Sequence, residues 1–323
     1  MSVCLVADVG GTNARFALVD EPGAAPRRVR TLATREHAGL AEAAAAYLRH
    51  HAADVRVDAA CLAVAGPVGG GRFHLTNAGW ARDSAERVRD RLGLPRLEVI
   101  NDFAALAWAL PLLAPEDLMP LGGPVPSPDG SAPLAVLGPG TGLGVAGLVP
   151  AADGGWIPIS GEGGHVDLPA GTEREIEVMR LLRAERGAAG AESLLSGEGL
   201  ARIHRLLALI HGVPPVPLGP GEICARRDDP VCAEAVAMFC ALLGAFAGNV
   251  ALTLGAWGGV YLGGGILPRI AGDLARSDFR RRFEDKPPIE GYVRPVPTAL
   301  IVHDRPGLLG ASARLAARTL EPA

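Results

Sequence analysis

The feature that most constrains the fold is a repeated pattern: an apolar strand, a tight turn rich in Gly and Thr, and a second apolar strand. It reads LVADVGGTNARFALV from Leu5 and LAVLGPGTGLGVAGLV from Leu134. Glycines let a backbone approach phosphate closely and turn its N–H groups inward, and threonine hydroxyls add donors. Either copy alone is also compatible with an ordinary glycine hairpin. Two such hairpins facing each other could hold one triphosphate.

Two other phosphate-binding motifs fit the sequence poorly. A Walker A loop needs a lysine in GxxxxGK[ST], and the only lysine is Lys286, far from either turn. This excludes that motif. Gly142, Gly144 and Gly147 match GxGxxG, but they lie in and after a turn that returns into a strand, whereas a dinucleotide fingerprint opens a helix.

Strand and helix signals alternate, which predicts an α/β protein, and 323 residues suggest about two domains. Amphipathic helices are predicted around Leu40–Leu48 and Leu200–Ile210, and Asp83 with Glu86 resembles a capping box that opens a helix through Val88. The predicted strands are Val3–Val6, Phe16–Val19, Ala60–Val64, Leu97–Ile100, Leu134–Leu137, Val145–Val149, Val260–Leu262 and Ala299–Val302.

Composition narrows the class of partner. A net charge of −4 argues against nucleic acid or an anionic membrane as the main partner. The five cysteines form no CxxC pair, so we expect small buried side chains rather than zinc ligands or disulfides. No basic segment precedes the first apolar run, so we expect a cytoplasmic protein. The uncharged stretch Ala235–Leu267 is interpreted as a core helix, with small residues where neighbours approach, followed by a short strand.

Two aspartates follow apolar strands. Asp8 lies beside the first Gly/Thr turn, where a carboxylate would repel phosphates unless Mg²⁺, bound directly or through water, lay between them. A turn-capping role is the alternative for Asp8. Asn101 and Asp102 follow the strand LEVI and precede a helix, which is where ligands gather in open α/β folds. Asp102 could also be that helix's N-cap, and both roles can coexist.

A third group of polar residues suits a polyol. Glu162 and His165 project from the glycine-rich segment SGEGGHVD, and Glu192 begins a loop-to-helix segment. Side chains that donate and accept hydrogen bonds match sugar hydroxyls, although a lone histidine or glutamate is more often structural or solvated. The run Arg280–Phe283 is most simply a solvated helix face.

These motifs resemble those of bacterial ATP-dependent glucokinases over nearly the whole chain. DVGGTNAR, LTNAGW, the Asn101–Asp102 pair, GPGTGLG, EGGHVD, ESLLSG and YLGGGILPR occur in that family's order. The resemblance implies an α/β fold of two ribonuclease-H-like domains (actin/hexokinase type) with an interdomain cleft. The small domain would be residues 1–110, joined by a C-terminal helix at about 305–323, and the large domain residues 111–304. It also implies a homodimer.

The resemblance further implies roles for individual residues. Asp102 matches the catalytic base, and the sugar contacts match Asn77, Asn101, Asp102, Glu162, His165 and Glu192. The nucleotide contacts match Ala7, Asp8, Val9, Gly10, Gly11, Thr12, Gly140, Thr141, Gly142, Gly263, Gly264 and Gly265. Ala7 departs from the glycine of many relatives, with little effect expected on phosphate binding. No CxCGxxGCxE zinc motif follows His165, which favours the zinc-free branch over the repressor, open-reading-frame and kinase group.

The resulting prediction is an enzyme that uses ATP and Mg²⁺ to phosphorylate the 6-hydroxyl of glucose. A kinase for another hexose would keep every motif. A sugar-responsive regulator would need a DNA-binding segment, for which there is no room before Val3. A nucleotide-operated assembly protein of actin or heat-shock type has no need of the Asn101–Asp102 and Glu162–His165 pairs.

Overall fold

The computed structural model describes residues 3–75, 77–125 and 130–317, which group into two compact units by their internal contacts. The first unit comprises the described residues of Met1–Leu113, Ala151–Ser160 and His303–Ala323, and the second those of Ala114–Pro150 and Gly161–Val302. The segment Ala151–Ser160 groups with the first unit, whereas the sequence placed it in the large domain. Of the predicted C-terminal helix, residues 318–323 lie outside the described residues.

The elements alternate along the chain in the way the sequence predicts. The strands are β1 Val3–Val9, β2 Asn13–Val19, β3 Arg27–Ala33, β4 Val57–Val64, β5 Val68–Gly69, β6 Arg72–Phe73, β7 Asp83–Ser84, β8 Arg96–Asn101, β9 Leu118–Pro120, β10 Leu134–Pro139, β11 Leu143–Pro150, β12 Trp156–Gly161, β13 Gly259–Leu262 and β14 Thr298–Ile301. The helices are α1 Leu40–His51, α2 Ala85–Leu92, α3 Asp102–Ala109, α4 Glu173–Arg186, α5 Gly197–Ile210, α6 Pro220–Ala225, α7 Pro230–Leu254, α8 Ala271–Arg276, α9 Phe279–Glu284, α10 Glu290–Val293 and α11 Pro306–Ala316.

The first unit is built on a five-stranded sheet in the order β3-β2-β1-β4-β8. β1 pairs antiparallel with β2 and parallel with β4, which in turn pairs parallel with β8. Alternate residues of β1 belong to different clusters, Leu5 with Tyr47 of α1 and Val6 with Leu308 of α11. Helices therefore cover both faces of the sheet, which explains why β1 reads as a nearly continuous apolar run.

The second unit has the same central arrangement. Five of its strands lie in the order β11-β10-β13-β14-β9, with β10 antiparallel to β11 and parallel to β13. The parallel pairing continues to β14, and β9 closes that edge antiparallel. All eight strands predicted from the sequence are confirmed, each lengthened by a few residues or shifted by one at an end. β3 had no prediction because its residues are mostly polar and only half-buried.

The long helix α7 forms the interior of the second unit. By length and composition alone it is apolar enough to cross a membrane, but 83% of its most apolar window is buried within the protein. A Cβ on Gly244 or Gly248 would collide with the carbonyl oxygen of Phe279 or Phe283 in α9. The prediction of small residues at close helix contacts is therefore confirmed at Gly248.

Two local predictions are wrong. The N-cap of α2 is Ser84, whose hydroxyl accepts the N–H of Arg87 at 3.3 Å, so the predicted capping box from Asp83 to Glu86 is off by one residue. Asp83 and Ser84 together form β7, which pairs with β6 and ends at the cap residue Ser84. Periodicity locates a helix to within a residue or two, whereas the cap depends on where the neighbouring strand ends.

The run Arg280–Phe283 is not a solvated face. Arg282 is only 5% exposed and forms two hydrogen bonds, of 2.7 and 3.0 Å, with the carboxylate of Glu175, which is 3% exposed. Glu175 also accepts the backbone N–H of Gly171 at 2.6 Å. Arg280 donates to the carbonyl of Val296, whereas Arg281 is exposed. The guanidinium groups enter the interior because carboxylate and carbonyl acceptors are there to receive them.

The prediction that the cysteines are small buried side chains is confirmed for four of the five. Cys4, Cys61, Cys232 and Cys240 are buried and Cys224 is half-buried, and no two cysteines form a disulfide in the described part of the chain. Burial raises the pKa of the Cys240 thiol to about 12, so it stays protonated and behaves as a small apolar side chain.

We expect Arg282→Ala to destabilise the protein by about 3–5 kcal/mol, because it leaves the buried Glu175 carboxylate without its partner. The matched control is Arg281→Ala, which removes the exposed ion pair with Asp278 and should cost at most about 1 kcal/mol. Urea unfolding monitored by circular dichroism measures both. If both variants lost the same free energy of unfolding, the prediction that the buried ion pair matters more than the exposed one would be wrong.

Candidate active site

The first turn, Gly10–Thr12, connects β1 to β2 in the first unit. The N–H of Gly10 donates to the carbonyl of Asn13 at 2.9 Å. The carbonyls of Gly11 and Thr12 accept the hydroxyl and the N–H of Thr34 at 2.6 and 3.0 Å. Among the residues described, none accepts a hydrogen bond from the N–H of Gly11 or Thr12. The turn therefore presents backbone donors that an anion can occupy.

Asp8 lies on β1, directly opposite Arg15 on β2. An Arg15 nitrogen is 3.4 Å from its carboxylate, whose side chain is still 28% exposed. Burial nevertheless raises the pKa of Asp8 above its ordinary value, and Arg15 opposes this only in part. The carboxylate thus lies among protein atoms with one side open to water, where a cation would relieve the cost of its charge. Ala7 and Val9 are fully buried, so only their backbone groups are available to a ligand.

Asn101 and Asp102 divide two tasks at the start of α3. Asn101 is the N-cap: its Oδ1 accepts the N–H groups of Phe103 and Ala104 at 2.8 and 3.2 Å, and its Nδ2 donates to the carbonyl of Gly66 at 3.1 Å. The alternative that Asp102 caps the helix is therefore wrong. Asp102 is the first residue inside α3, half-buried, with Oδ1 accepting the N–H of Phe103 at 3.0 Å. Its carboxylate thus lies at the N-terminal end of the helix.

Asn77 is exposed and lies against the first turn. A Cβ on Gly11 would be 2.7 Å from the Cβ of Asn77 and 2.9 Å from its carbonyl oxygen. Glycine at position 11 thus permits the segment LTNAGW to approach the turn closely. Three residues on, the indole of Trp80 donates to the carbonyl of His37 at 2.9 Å. The structure therefore places Asn77 beside Gly11, a contact that the sequence did not predict.

The second turn, Gly140–Gly142, connects β10 to β11 in the second unit. The N–H of Gly140 donates to the carbonyl of Gly142 at 2.7 Å, and the carbonyl of Gly140 accepts the N–H of Gly197, the first residue of α5, at 2.9 Å. Thr141 at the tip is exposed. In both turns, therefore, a residue from a later element donates a hydrogen bond to a carbonyl of the turn: Thr34 in the first and Gly197 in the second.

Glu192 lies directly on the second turn. Its Oε2 accepts the N–H of Leu143, the first residue of β11, at 2.7 Å, and a Cβ on Gly142 would collide with this carboxylate. The glutamate is half-buried and lies in a short 3₁₀ turn, Ala191–Ser193. Its surface-charge alternative is therefore wrong.

The loop that carries Glu162 and His165 packs beside Glu192. Gly164 abuts the carbonyl of Leu143, and the N–H of Ala191 donates to the carbonyl of Val166 at 2.7 Å. The side chains of Glu162 and His165 are exposed. Within the second unit the structure thus gathers the second turn, Glu192 and this loop.

Gly263–Gly265 lie at the other side of the second turn. The N–H of Gly263 continues the pairing with β10 by donating to the carbonyl of Leu137 at 2.8 Å. Gly264 has φ = 93°, and a Cβ there would collide with the carbonyl of Pro139. Both the left-handed backbone and the close approach require glycine. The backbone here is packed against the strand that leads into the second turn.

One group of potential metal ligands lies elsewhere. Side-chain atoms of His204, Asp229 and Cys232 lie within 4.8 Å of one another. Asp229 is the N-cap of α7, and its Oδ1 accepts the N–H groups of Val231 and Cys232 at 2.8 and 3.0 Å. The positive end of a 25-residue helix disfavours a cation, so helix capping accounts for the arrangement.

The fold and these sites define a class. Each of two sheets carries a Gly/Thr hairpin at its centre, and each hairpin has a carboxylate beside it, Asp8 or Glu192. This is an α/β architecture of the actin/hexokinase type, with backbone donors and a carboxylate at each of two glycine-rich turns.

Comparison with known proteins narrows the class to a family. A family model described as Glucokinase matches residues 5–318. Glucokinase from Aromatoleum aromaticum is 46% identical over 314 residues, covering 96% of this chain and 94% of its own. Glucokinase from Chromobacterium violaceum is 47% identical, covering 97% and 89%. A crystal structure of glucokinase from an Antarctic psychrotroph superimposes with a TM-score of 0.86 at 36% identity, covering 98% and 99%. The chain belongs to the glucokinase family.

We expect Asp8→Asn to be more stable than the unaltered protein at neutral pH. The native state holds the Asp8 proton more tightly than the unfolded chain, whose pKa is near 3.8. Stability is therefore lost as pH rises from that value through the raised native pKa, and the amide removes the loss. We expect the melting temperature to rise by roughly 2–4 °C, the effect of about 1 kcal/mol in a domain of this size.

The matched control is Asp20→Asn. Arg27, whose Nε is 2.8 Å from Asp20 Oδ1, lowers the pKa of this exposed carboxyl, so the same change should lower the melting temperature. The difference at Asp8 should shrink as pH falls towards 4, whereas the difference at Asp20 should shrink only as pH falls below about 4. If Asp8→Asn were less stable than the unaltered protein at pH 7, burial of the charged Asp8 carboxylate would not be destabilising, and the prediction would be wrong.

Proposed function

We propose that this protein transfers the γ-phosphate of ATP to the 6-hydroxyl of glucose, giving glucose 6-phosphate and ADP. The observation that carries the proposal is the 46% identity to a curated glucokinase over 96% of the chain. The two hairpin turns and the carboxylates beside them supply the kinds of group that such a reaction needs.

Asp102 is the proposed base. Its carboxylate would accept the proton of the 6-hydroxyl as that oxygen forms a bond to the γ-phosphorus and the bond to the leaving ADP breaks. Support comes from its place inside the first turn of α3, where Asn101 already occupies the capping position. The carboxylate is thus not the cap on which the helix end depends.

The sugar is proposed to contact Asn77, Asn101, Glu162, His165 and Glu192 in addition to Asp102. Carboxylate, amide and imidazole groups together can accept and donate, which matches hydroxyls that do both. Glu192 would present one carboxylate oxygen to the sugar while the other holds the N–H of Leu143. A precise placement of the acceptor hydroxyl is what raises the rate in reactions of this kind.

The nucleotide is proposed to bind at the glycine-rich segments. The residues are Ala7, Asp8, Val9, Gly10, Gly11, Thr12, Gly140, Thr141, Gly142, Gly263, Gly264 and Gly265. Asp8 would hold Mg²⁺, through water, and its raised pKa fits a carboxylate that lacks a full counter-charge. When bound, Mg²⁺ neutralises charge on the phosphates. The N–H groups of Gly11 and Thr12, which have no hydrogen-bond acceptor among the described residues, would donate to phosphate oxygens.

We further propose that the two units are the two domains of the enzyme, and that it acts as a homodimer in the cytoplasm. Support for two domains comes from the grouping of α11 with the first unit, which also includes Ala151–Ser160. Light scattering on the purified protein measures the assembly directly.

The test of the reaction is ADP release with ATP, Mg²⁺ and a panel of glucose, fructose, mannose and N-acetylated hexoses. We expect release that depends on glucose and falls by a factor of roughly 10² to 10⁴ in Asp102→Asn, the loss typical of a general base. The control is Asp90→Asn, an exposed aspartate on α2 in the same unit, which should keep full activity. Chelating Mg²⁺ with EDTA should abolish release.

Each other outcome has a definite meaning. Near-normal activity of Asp102→Asn would remove its role as base. Release that depends on another sugar would change the substrate, and no release with any sugar would contradict a kinase function.

A further inference from the structure

One buried residue, Thr34, donates two hydrogen bonds to the first turn. Thr34 directly follows β3 and is only 2% exposed. Its hydroxyl donates to the carbonyl of Gly11 at 2.6 Å and its N–H donates to the carbonyl of Thr12 at 3.0 Å. A single residue thus occupies two consecutive carbonyls of the turn.

The orientation of these carbonyls decides where the turn's donors point. In a trans peptide the C=O and the following N–H point in opposite directions. With the carbonyl of Gly11 turned towards Thr34, the N–H of Thr12 faces the opposite way. Thr34 therefore presents the turn's N–H side to a ligand without itself touching that ligand.

Thr34 is itself held by its neighbours. The N–H of His37 donates to the carbonyl of Thr34 at 3.1 Å, and the indole of Trp80 donates to the carbonyl of His37 at 2.9 Å. Trp80 is buried in the same cluster as β1. A glycine-rich turn has no side-chain packing to restrict it, so this chain of bonds supplies the restriction.

We propose that Thr34 is a positioning residue for the nucleotide, which orients the N–H of Thr12 towards its phosphates. The inference rests on the proposed function, since it takes the first turn as a phosphate site. Thr34 is not part of any motif identified in the sequence. It affects the turn through its hydrogen bonds to the carbonyls of Gly11 and Thr12.

The test compares three variants of the whole chain. Thr34→Val keeps the shape and loses the hydroxyl, whereas Thr34→Ser keeps both donors. The matched control is Thr298→Val: Thr298 is also fully buried, and its hydroxyl and N–H donate to the carbonyl of Gly122 at 3.0 and 3.3 Å, away from either turn. Calorimetry measures the Kd for MgADP without sugar, and steady-state kinetics measure the KM for ATP and glucose separately.

We expect Thr34→Val to raise the Kd for MgADP and the KM for ATP by about tenfold, the effect of one hydrogen bond on a positioned ligand. The KM for glucose should stay within about twofold, and Thr34→Ser should match the unaltered protein. Thr298→Val should lose thermal stability as Thr34→Val does, yet bind MgADP normally. Should Thr34→Val fail to fold, Thr34→Ala is measured in the same way.

Unchanged MgADP binding by Thr34→Val, equal weakening in Thr298→Val, or no rescue by serine would overturn the inference. An unaltered chain that binds no MgADP would overturn both it and the proposed function. A chain that binds MgADP but phosphorylates no sugar would overturn only the proposed function, and weaker binding by Thr34→Val would still support the role of Thr34.

Discussion

Both glycine-rich turns depend on hydrogen bonds that other residues donate to their carbonyl oxygens. One turn connects β1 to β2, and the other connects β10 to β11. In the first, Thr34 binds the carbonyls of Gly11 and Thr12; in the second, the N–H of Gly197 binds the carbonyl of Gly140. A turn of glycines has few contacts of its own, so its shape comes from whatever reaches it. Each turn joins two neighbouring antiparallel strands, and the cores on either side fix the strand ends from which it starts.

The carboxylates near the turns differ in what stabilises them. Asp8 lies where burial raises its pKa and Arg15 compensates only partly. Asp102 lies in the first turn of α3, at the N-terminal end of the helix. Glu192 receives a backbone N–H from β11. Partly compensated burial, a helix N-terminus and a backbone N–H thus give the three carboxylates different surroundings. A charged Asp8 lowers the stability of the folded state, and residues at functional sites commonly have this effect.

The sequence predictions were correct where a single property decided the structure, such as apolar character in strands or glycine in turns. The eight predicted strands are present because most of their apolar residues are buried, and the glycines of both turns lie where the pattern placed them. The errors occur where a distant contact changed the environment. Ser84 replaced Asp83 as a cap because β7 ends there, and Arg282 is buried because Glu175, more than one hundred residues away, receives it.

The sequence by itself determined the α/β class, the two phosphate-type turns and the residues that match the glucokinase pattern, since each of these follows from local spacing and residue type. Only the tertiary structure decided that Asn101 rather than Asp102 caps α3, that Glu192 lies on the second turn and that Thr34 holds the first. These contacts join residues 23 to 49 positions apart in two of the three cases. Such a contact exists only once the strands and helices have packed, because it needs an acceptor and a donor that different elements bring together.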